Sequence, residues 1–174
     1  MKLKIAVSGK SGCGNTTISH IVADKMELDF INFTFRALAV EHSLSLKEVL
    51  AKAAEDDFWD KEVDNRQLEL AKKSGGCVLG SRLAIWMLQE ADLKVYLRAA
   101  PETRAARIVK REGGDVGEIA AFTWERDRQD RERYLKLYKI DNDDYAFADL
   151  IIDTDAMTPE EIADAIIREA NKRI

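Results

Sequence analysis

The chain has few of the residues that build metal clusters, disulfide frameworks or disordered linkers. Its 174 residues include two cysteines, two histidines, two prolines and nine glycines. The pair Cys13 and Cys77 forms neither a disulfide framework nor a zinc-binding spacing. The two histidines are too few for a metal cluster, and so little proline and glycine argues against long disordered linkers.

Long apolar runs are also absent, and no stretch approaches the length of a membrane span. The N-terminal sequence MKLKIAVSGK carries basic residues, but its apolar stretch is too short for a signal peptide. We therefore expect a cytoplasmic protein without a membrane partner.

The net charge of −5 disfavours a general nucleic-acid-binding protein. The charge is unevenly distributed, because residues 98–139 contain 11 basic and 8 acidic residues, a net charge of +3. A basic segment in an acidic protein suggests that the ligand is a small anion.

Five short apolar segments alternate with helical patterns along residues 1–174. The segments are 3–8, 29–33, 77–80, 92–99 and 149–153. This alternation predicts one α/β domain, in which a parallel sheet is covered by helices on both faces. Residues 35–74 show helical patterns and no strand, so they predict a helical insertion. Periodicity does not give the order of the strands in the sheet.

A glycine-rich loop, SGKSGCGNTT, lies between the first strand and the first helix. Glycines let consecutive backbone N–H groups converge on a phosphate, and the helix N-terminus adds unpaired donors. The pattern G-x-x-x-x-G-K-[ST] requires a lysine where this chain has asparagine. The alternative is a tight turn that only needs glycine. The predicted phosphate-binding residues are Gly9, Lys10, Ser11, Gly12, Cys13, Gly14, Asn15, Thr16 and Thr17, with Thr16 as the Mg²⁺ ligand.

Two residues of the loop carry further predictions. Lys10 follows the first glycine, and we expect it to replace the missing lysine at the phosphates as a catalytic residue. The alternative is a solvated lysine, with arginines elsewhere supplying the charge. Cys13 lies near a helix N-terminus, which predicts a reactive thiolate that ATP protects. A buried, inert thiol is its alternative.

Arginines follow the later strands. Arg82 comes directly after the third strand, where a ligand crevice is expected. Arg126, Asp130 and Arg133 share one face of a helix, and Asp130 is placed to hold both arginines toward phosphates. Arg107 follows the fourth strand and is a candidate for binding ATP. For each of these residues the alternative is an ion pair on a solvated surface.

Taken together, these residues resemble the cytidylate kinases, and especially their short archaeal type. The similarity covers nearly the whole chain. It rests on SGKSGCGNTT, FRALAVEHSLSLKEV, DKEVDNRQLELAKK, SRLAIW, LKVYLRA and ERDRQDRERYLKLYKID. The resemblance implies a P-loop three-layer α/β/α sandwich with strand order 2-3-1-4-5. It further implies a nucleoside-monophosphate-binding insertion at residues 35–74 and a lid at residues 112–134.

The resemblance also implies an activity, namely transfer of the γ-phosphoryl group of ATP to CMP or dCMP with Mg²⁺ as cofactor. It places the adenine at residues 154–157 and the lid motif R-x-x-x-D-x-x-R at Arg126, Asp130 and Arg133. It gives the acceptor four side chains, Arg36, Asp64, Arg66 and Arg82.

The chain departs from the family pattern in two places. Asn15 stands in place of the loop lysine, and Gly80-Ser81 replaces an acidic residue and a glycine. The first change leaves open a nucleotide-binding regulator with weakened turnover, and a kinase for another small acceptor is a further alternative. A monomer is expected, with a dimer left open.

Overall fold

Five parallel strands form the centre of the computed structural model, which describes residues 3–174. They lie in the order β2-β3-β1-β4-β5, which confirms the order implied by the resemblance. The strands are β1 (Lys4–Ser8), β2 (Asp29–Ile31), β3 (Cys77–Gly80), β4 (Leu93–Arg98) and β5 (Leu150–Asp153). The helices are α1 (Asn15–Met26), α2 (Phe35–Glu41), α3 (Leu46–Glu55), α4 (Phe58–Lys73), α5 (Ala84–Met87), α6 (Pro101–Glu112), α7 (Val116–Tyr138) and α8 (Pro159–Ala170), followed by a 3-10 turn at Asn171–Arg173.

The five predicted strands and the main helices are confirmed, and four of the strands are one or two residues shorter than predicted. The second strand was expected over residues 29–33, but β2 pairs with β3 only over Asp29–Ile31. Asn32 and Phe33 leave the sheet and line a cleft instead, and the Phe33 carbonyl accepts a hydrogen bond from Gln67.

Alternating side chains on the strands divide the core into two layers, because successive residues of a strand point to opposite faces. Ile5 and Val7 of β1 pack with α1 and α8. Ala6, between them, packs on the other face with α4 and α5. Helices therefore cover both faces, and the predicted three-layer sandwich is confirmed.

The parallel arrangement brings the loops that follow β1 and β3 to one edge of the sheet. These two strands are neighbours, with Val7 paired to Gly80. The backbone N–H of Ser81 donates to the Val7 carbonyl at 3.1 Å. The glycine loop and Arg82 consequently face the same crevice, as expected at the carboxyl ends of parallel strands.

Helices α2, α3 and α4 lie between β2 and β3 and contain a small core of their own. Leu38, Ala39, Val49 and Val63 are buried together there, separate from the two clusters on the sheet. Ser45 and Glu48 form a capping box that starts α3, as the sequence predicts. This small core holds α2 and α3 against the N-terminal half of α4, whereas Ala71, farther along α4, packs with the sheet.

Helix α7 runs without interruption for 23 residues after two glycines in left-handed conformations. Gly113 and Gly114 have φ angles of 78° and 102°, which residues with side chains rarely adopt. The Asp115 side chain then caps α7 by accepting from the Glu118 N–H. None of the helices described over residues 3–174 combines the length and apolar character needed to cross a membrane.

Candidate active site

The glycine loop forms an anion-binding cradle at the N-terminus of α1. Gly12 and Gly14 have φ angles of 83° and 94°, so both turns of the loop depend on glycine. Helix α1 has no side-chain cap and no acidic residue in its first turn. Its first backbone N–H groups and the positive end of its dipole are therefore available to a phosphate.

Asn15 ties the loop to itself. Its Nδ2 donates to the Gly9 carbonyl at 2.5 Å, and its buried Oδ1 has no hydrogen-bond partner among the described residues. The side chain is therefore used in closing the loop. A neutral amide in this position supplies no positive charge to a phosphate.

Lys10 extends away from the loop toward the segment between α7 and β5. Its Nζ lies 2.6 Å from Asp143 Oδ1. Arg131 of α7 also contacts Asp143, at 3.4 Å. Lys10 also lines the cleft described below, and in this structure its amino group is paired with a carboxylate.

The thiol of Cys13 does not behave as its position in the loop predicts. The residue is 2% exposed and packs in the core with β1, β4 and α8. Burial raises the pKa of the Cys13 thiol, and the nearby charge of Arg104 only partly opposes this effect. The predicted thiolate is therefore wrong, because burial outweighs the helix N-terminus.

A cleft of 490 Å³ separates the glycine loop from the insertion. Four arginines from three elements reach it: one from the loop after β3, two from α7, and Arg111 at the end of α6, which pairs with Glu112. They lie opposite the start of α1, with acidic residues of α4 beside them. The residues that line this cleft and carry the argument are Thr16, Thr17, Asp60, Asp64, Arg82, Arg126 and Arg133.

A buried carboxylate organises two of these arginines. Asp130 is 5% exposed and contacts Arg133 at 3.0 Å and Arg82 at 3.3 Å. Arg133 also approaches Asp60 of α4, at 3.5 Å. The prediction that Asp130 holds two arginines of α7 is thus confirmed for Arg133 and wrong for Arg126. The second ion-pair partner of Asp130 is Arg82, so Asp130 joins α7 to the loop after β3.

Arg126 lines the cleft but is not paired with a carboxylate. It forms no hydrogen bond or ion pair within residues 3–174, and its side chain is exposed toward the cleft. Partial desolvation and the nearby charge of Arg82 lower the pKa of Arg126. The site therefore holds an excess of positive charge that an anionic ligand would neutralise.

Two arginines of α6, Arg104 and Arg107, hold the glycine loop through its backbone carbonyls. Arg104 is 6% exposed and donates to the Ser11 carbonyl and to Asp127 of α7. Arg107 donates to the Gly12 carbonyl at 3.4 Å and to both oxygens of Thr154. Arg107 thus joins the glycine loop to the segment predicted to hold adenine, and it does not line the cleft.

The four predicted acceptor-binding residues divide into two pairs. Arg82 and Asp64 line the cleft, whereas Arg36 and Arg66 do not. Arg66 forms ion pairs with Glu41 at 2.5 Å and with Glu69 at 3.5 Å. Arg36 is exposed on α2.

Asp64 is held by a residue that sequence patterns do not connect with it. The Tyr138 hydroxyl, 74 residues away, donates to Asp64 Oδ2 at 2.6 Å. Burial raises the pKa of Asp64 to about 6, and the hydrogen bond from Tyr138 opposes this effect. The contact joins the end of α7 to the insertion. No local motif could have revealed it, because neither residue's neighbours carry a matching signal.

Hydroxyl groups rather than a carboxylate cluster are available for a metal ion. Thr16 is exposed at the start of α1, and the half-buried Ser81 lines the same cleft. The described part of the chain contains no group of three or more His, Cys, Asp or Glu residues that could hold a metal. These residues fit Mg²⁺, which keeps several waters and takes phosphate oxygens as ligands.

Comparison with solved structures defines the class of fold. A shikimate kinase from Acinetobacter baumannii, solved in complex with shikimate, superposes with a TM-score of 0.65 over 99% of this chain and 94% of its own. The sequences are only 16% identical, so this similarity concerns the fold alone. The strand order, the glycine loop and this superposition define a P-loop kinase fold.

Sequence comparison then gives the family. The model of the cytidylate kinase-like family matches residues 4–156. Cytidylate kinase 2 of Borreliella burgdorferi is 47% identical over 98% of this chain and 97% of its own length. The cytidylate kinase of Pyrococcus horikoshii is 43% identical over 97% of this chain and 88% of its own. The chain belongs to the cytidylate kinase-like family.

Proposed function

We propose that the protein transfers the γ-phosphoryl group of ATP to CMP or dCMP and releases ADP with CDP or dCDP. The observation that carries this proposal is the cleft between the glycine loop and the insertion, where Arg82, Arg126 and Arg133 converge. Relatives named cytidylate kinase, at 43–47% identity over nearly the whole chain, support it.

The glycine loop is the proposed donor site. Its left-handed glycines and the uncapped start of α1 fit the phosphates of ATP. Thr16 would hold Mg²⁺, which supplies charge neutralisation at the phosphates when bound. Arg107 contributes by fixing the segment at Thr154 against the loop, and the adenine is proposed to bind beside this segment.

The insertion is the proposed acceptor site. Arg82 and Asp64 both line the cleft, Arg82 in the loop after β3 and Asp64 on α4. A role for Arg36 and Arg66 in binding the acceptor stays a prediction. Arg66 would have to exchange its ion pair with Glu41 for a contact with the substrate phosphate.

The arginines of α7 are proposed to stabilise the transferring group. Phosphoryl transfer needs positioning and charge stabilisation more than covalent chemistry, and a monophosphate oxygen is already an anionic nucleophile. Asp130 holds Arg133 and Arg82 in place, while Arg126 has no paired carboxylate to give up. Residues 112–134 are proposed to act as a lid that closes over both substrates and excludes water.

Turnover is tested by ADP release with CMP, dCMP, UMP, AMP or no added acceptor. CMP and dCMP are expected to give the highest kcat/KM. Efficient turnover of AMP without CMP would contradict the assigned acceptor. Tight ATP binding with no turnover of any acceptor would favour the regulator.

The role of Arg126 is tested with a matched residue on the same helix. Arg126→Ala is expected to lower kcat by about 10²-fold or more, the usual effect of losing a charge-stabilising donor. Arg128 is also on α7, but it pairs with Glu125 and Glu132 on the surface. Arg128→Ala should therefore keep nearly full activity, and equal losses in both variants would argue against a specific role for Arg126.

A further inference from the structure

Gln67 is a buried polar residue of the cleft to which the motifs assign no role. It lies on α4, is 9% exposed and lines the same wall as Asp64. Its Nε2 donates to the Phe33 carbonyl at 2.9 Å. Its Oε1 is buried and has no hydrogen-bond partner within residues 3–174.

The orientation of this amide is fixed by the backbone. Rotating the amide by 180° would place Oε1 beside the Phe33 carbonyl, and two acceptors would then face each other without a proton. The observed orientation keeps the donor on Phe33 and leaves the acceptor unused. A buried acceptor without a donor is unfavourable, which makes Oε1 a position for a ligand N–H group.

We propose that Gln67 Oε1 accepts a hydrogen bond from the exocyclic amino group of the acceptor base and thereby selects cytosine over uracil. This inference rests on the proposed function. Phe33 and Asp64 line the same cleft as Gln67, so an aromatic ring and a carboxyl group are also available to a base there. Since Oε1 has almost no accessible surface, the base must displace the side chains that cover it.

The contact discriminates by the chemistry of one ring substituent. Cytosine presents an amino group, a donor, where uracil presents a carbonyl oxygen, an acceptor. Uracil would bring this oxygen to Oε1. The amide of Gln67 could not rotate to offer Nε2 instead without losing its hydrogen bond to the Phe33 carbonyl. A site built around one such hydrogen bond rejects an analogue without it more strongly than an apolar pocket rejects a change in size.

The experiment compares three acceptors in wild-type protein and Gln67→Met. Methionine has a similar length but no comparable acceptor. The acceptors are CMP, UMP and the pyrimidin-2-one ribonucleoside monophosphate, which has a hydrogen in place of the amino group. Gln67→Met is expected to lower kcat/KM for CMP by about 10- to 100-fold, an effect consistent with one buried hydrogen bond. The kcat/KM value for the pyrimidin-2-one nucleotide should change by less than about threefold, and the value for UMP should stay unchanged or rise, because the acceptor that opposes its carbonyl oxygen is gone.

Two further variants separate base recognition from support of Phe33. Gln67→Glu keeps an acceptor but loses the donor to Phe33, so it should retain a preference for CMP over UMP. Gln89 lies on the surface after α5, and Gln89→Met should leave all three kcat/KM values unchanged. Melting temperatures of all variants report on folding.

The outcomes distinguish this inference from the proposed function. A wild-type protein that phosphorylates no cytidine nucleotide would contradict the proposed function. A wild-type protein that prefers CMP, with the same CMP/UMP ratio in Gln67→Met, would overturn the role of Gln67 alone. An equal loss for all three acceptors would likewise assign Gln67 to structural support.

Discussion

Replacing Lys10 by alanine tests how a phosphate-binding loop works without its usual lysine. In the structure Lys10 pairs with Asp143 at 2.6 Å, and both side chains are partly exposed. When ATP binds, we expect Lys10 to leave Asp143 and approach the β- and γ-phosphates. Lys10→Ala removes this charge, while Asn15 offers only a neutral amide that already donates to Gly9.

The expected magnitude follows from the two competing interactions. A unit charge about 4 Å from a phosphate charge contributes about 4 kcal/mol at an effective dielectric constant of about 20. Giving up an exposed ion pair such as that with Asp143 costs about 0.2–1 kcal/mol. The net effect is about 3 kcal/mol, so Lys10→Ala should lower kcat/KM for ATP by about 100-fold.

The assay is steady-state ADP release with CMP in excess and ATP varied. Asp143→Asn frees Lys10 and should raise kcat/KM for ATP by about fivefold or less, but it should have no such effect in the Lys10→Ala background. Lys25 is a matched control, because it also pairs with carboxylates, at 2.7 Å and 2.9 Å, on the far end of α1. Lys25→Ala should leave kcat/KM unchanged.

A Lys10→Ala protein within threefold of wild type would refute this reasoning. The arginines of α7 would then supply the charge on their own. A loss that Lys25→Ala reproduces would instead indicate a general effect of net charge.

Three further predictions concern stability and reactivity. Asp130→Asn weakens the contacts with Arg82 and Arg133, so the free energy of unfolding should fall by about 2 kcal/mol in urea titrations, and a change below about 0.5 kcal/mol would count against this. The pKa of Asp64 is raised to about 6, so the folded protein binds this proton more tightly than the unfolded chain. The wild-type protein should therefore lose on the order of 2–3 kcal/mol of stability relative to Asp64→Asn as the pH rises from about 4 to about 6. Stability profiles of the two proteins that run parallel over this pH range would contradict the raised pKa of Asp64. Burial raises the pKa of the Cys13 thiol, so its alkylation should be slow in the native protein with or without ATP, and fast, ATP-sensitive alkylation would contradict this.

Local sequence patterns were sufficient to predict the strands, the helices and the glycine loop. A strand, two glycines five residues apart and a helix start are all encoded within residues 3–26, and the structure places them as predicted. The contact between Asp130 and Arg133 could also be predicted from the sequence, because helical spacing alone brings residues three positions apart together. The strand order came from the family resemblance, since periodicity carries no information about neighbours in a sheet.

Contacts between distant segments were not readable in this way. Lys10 meets Asp143, and Tyr138 meets Asp64, across 133 and 74 residues of chain. Asp130 has Arg82 as its second partner, where helical spacing had suggested Arg126. Each pair depends on how the loops pack at the edge of the sheet, which no local spacing specifies.

The α/β class, the phosphate-binding loop and the basic character of the ligand site follow from residue type and short-range spacing, so they could be predicted from the amino-acid sequence. Which charges remain available in the cleft depends on the packing of the folded chain. The tertiary structure buries the Cys13 thiol and leaves Arg126 without a paired carboxylate. It also leaves Gln67 Oε1 without a hydrogen-bond donor among the described residues. The physical reason is that desolvation and ion pairing depend on every group within a few ångströms, and most of those groups come from distant parts of the chain.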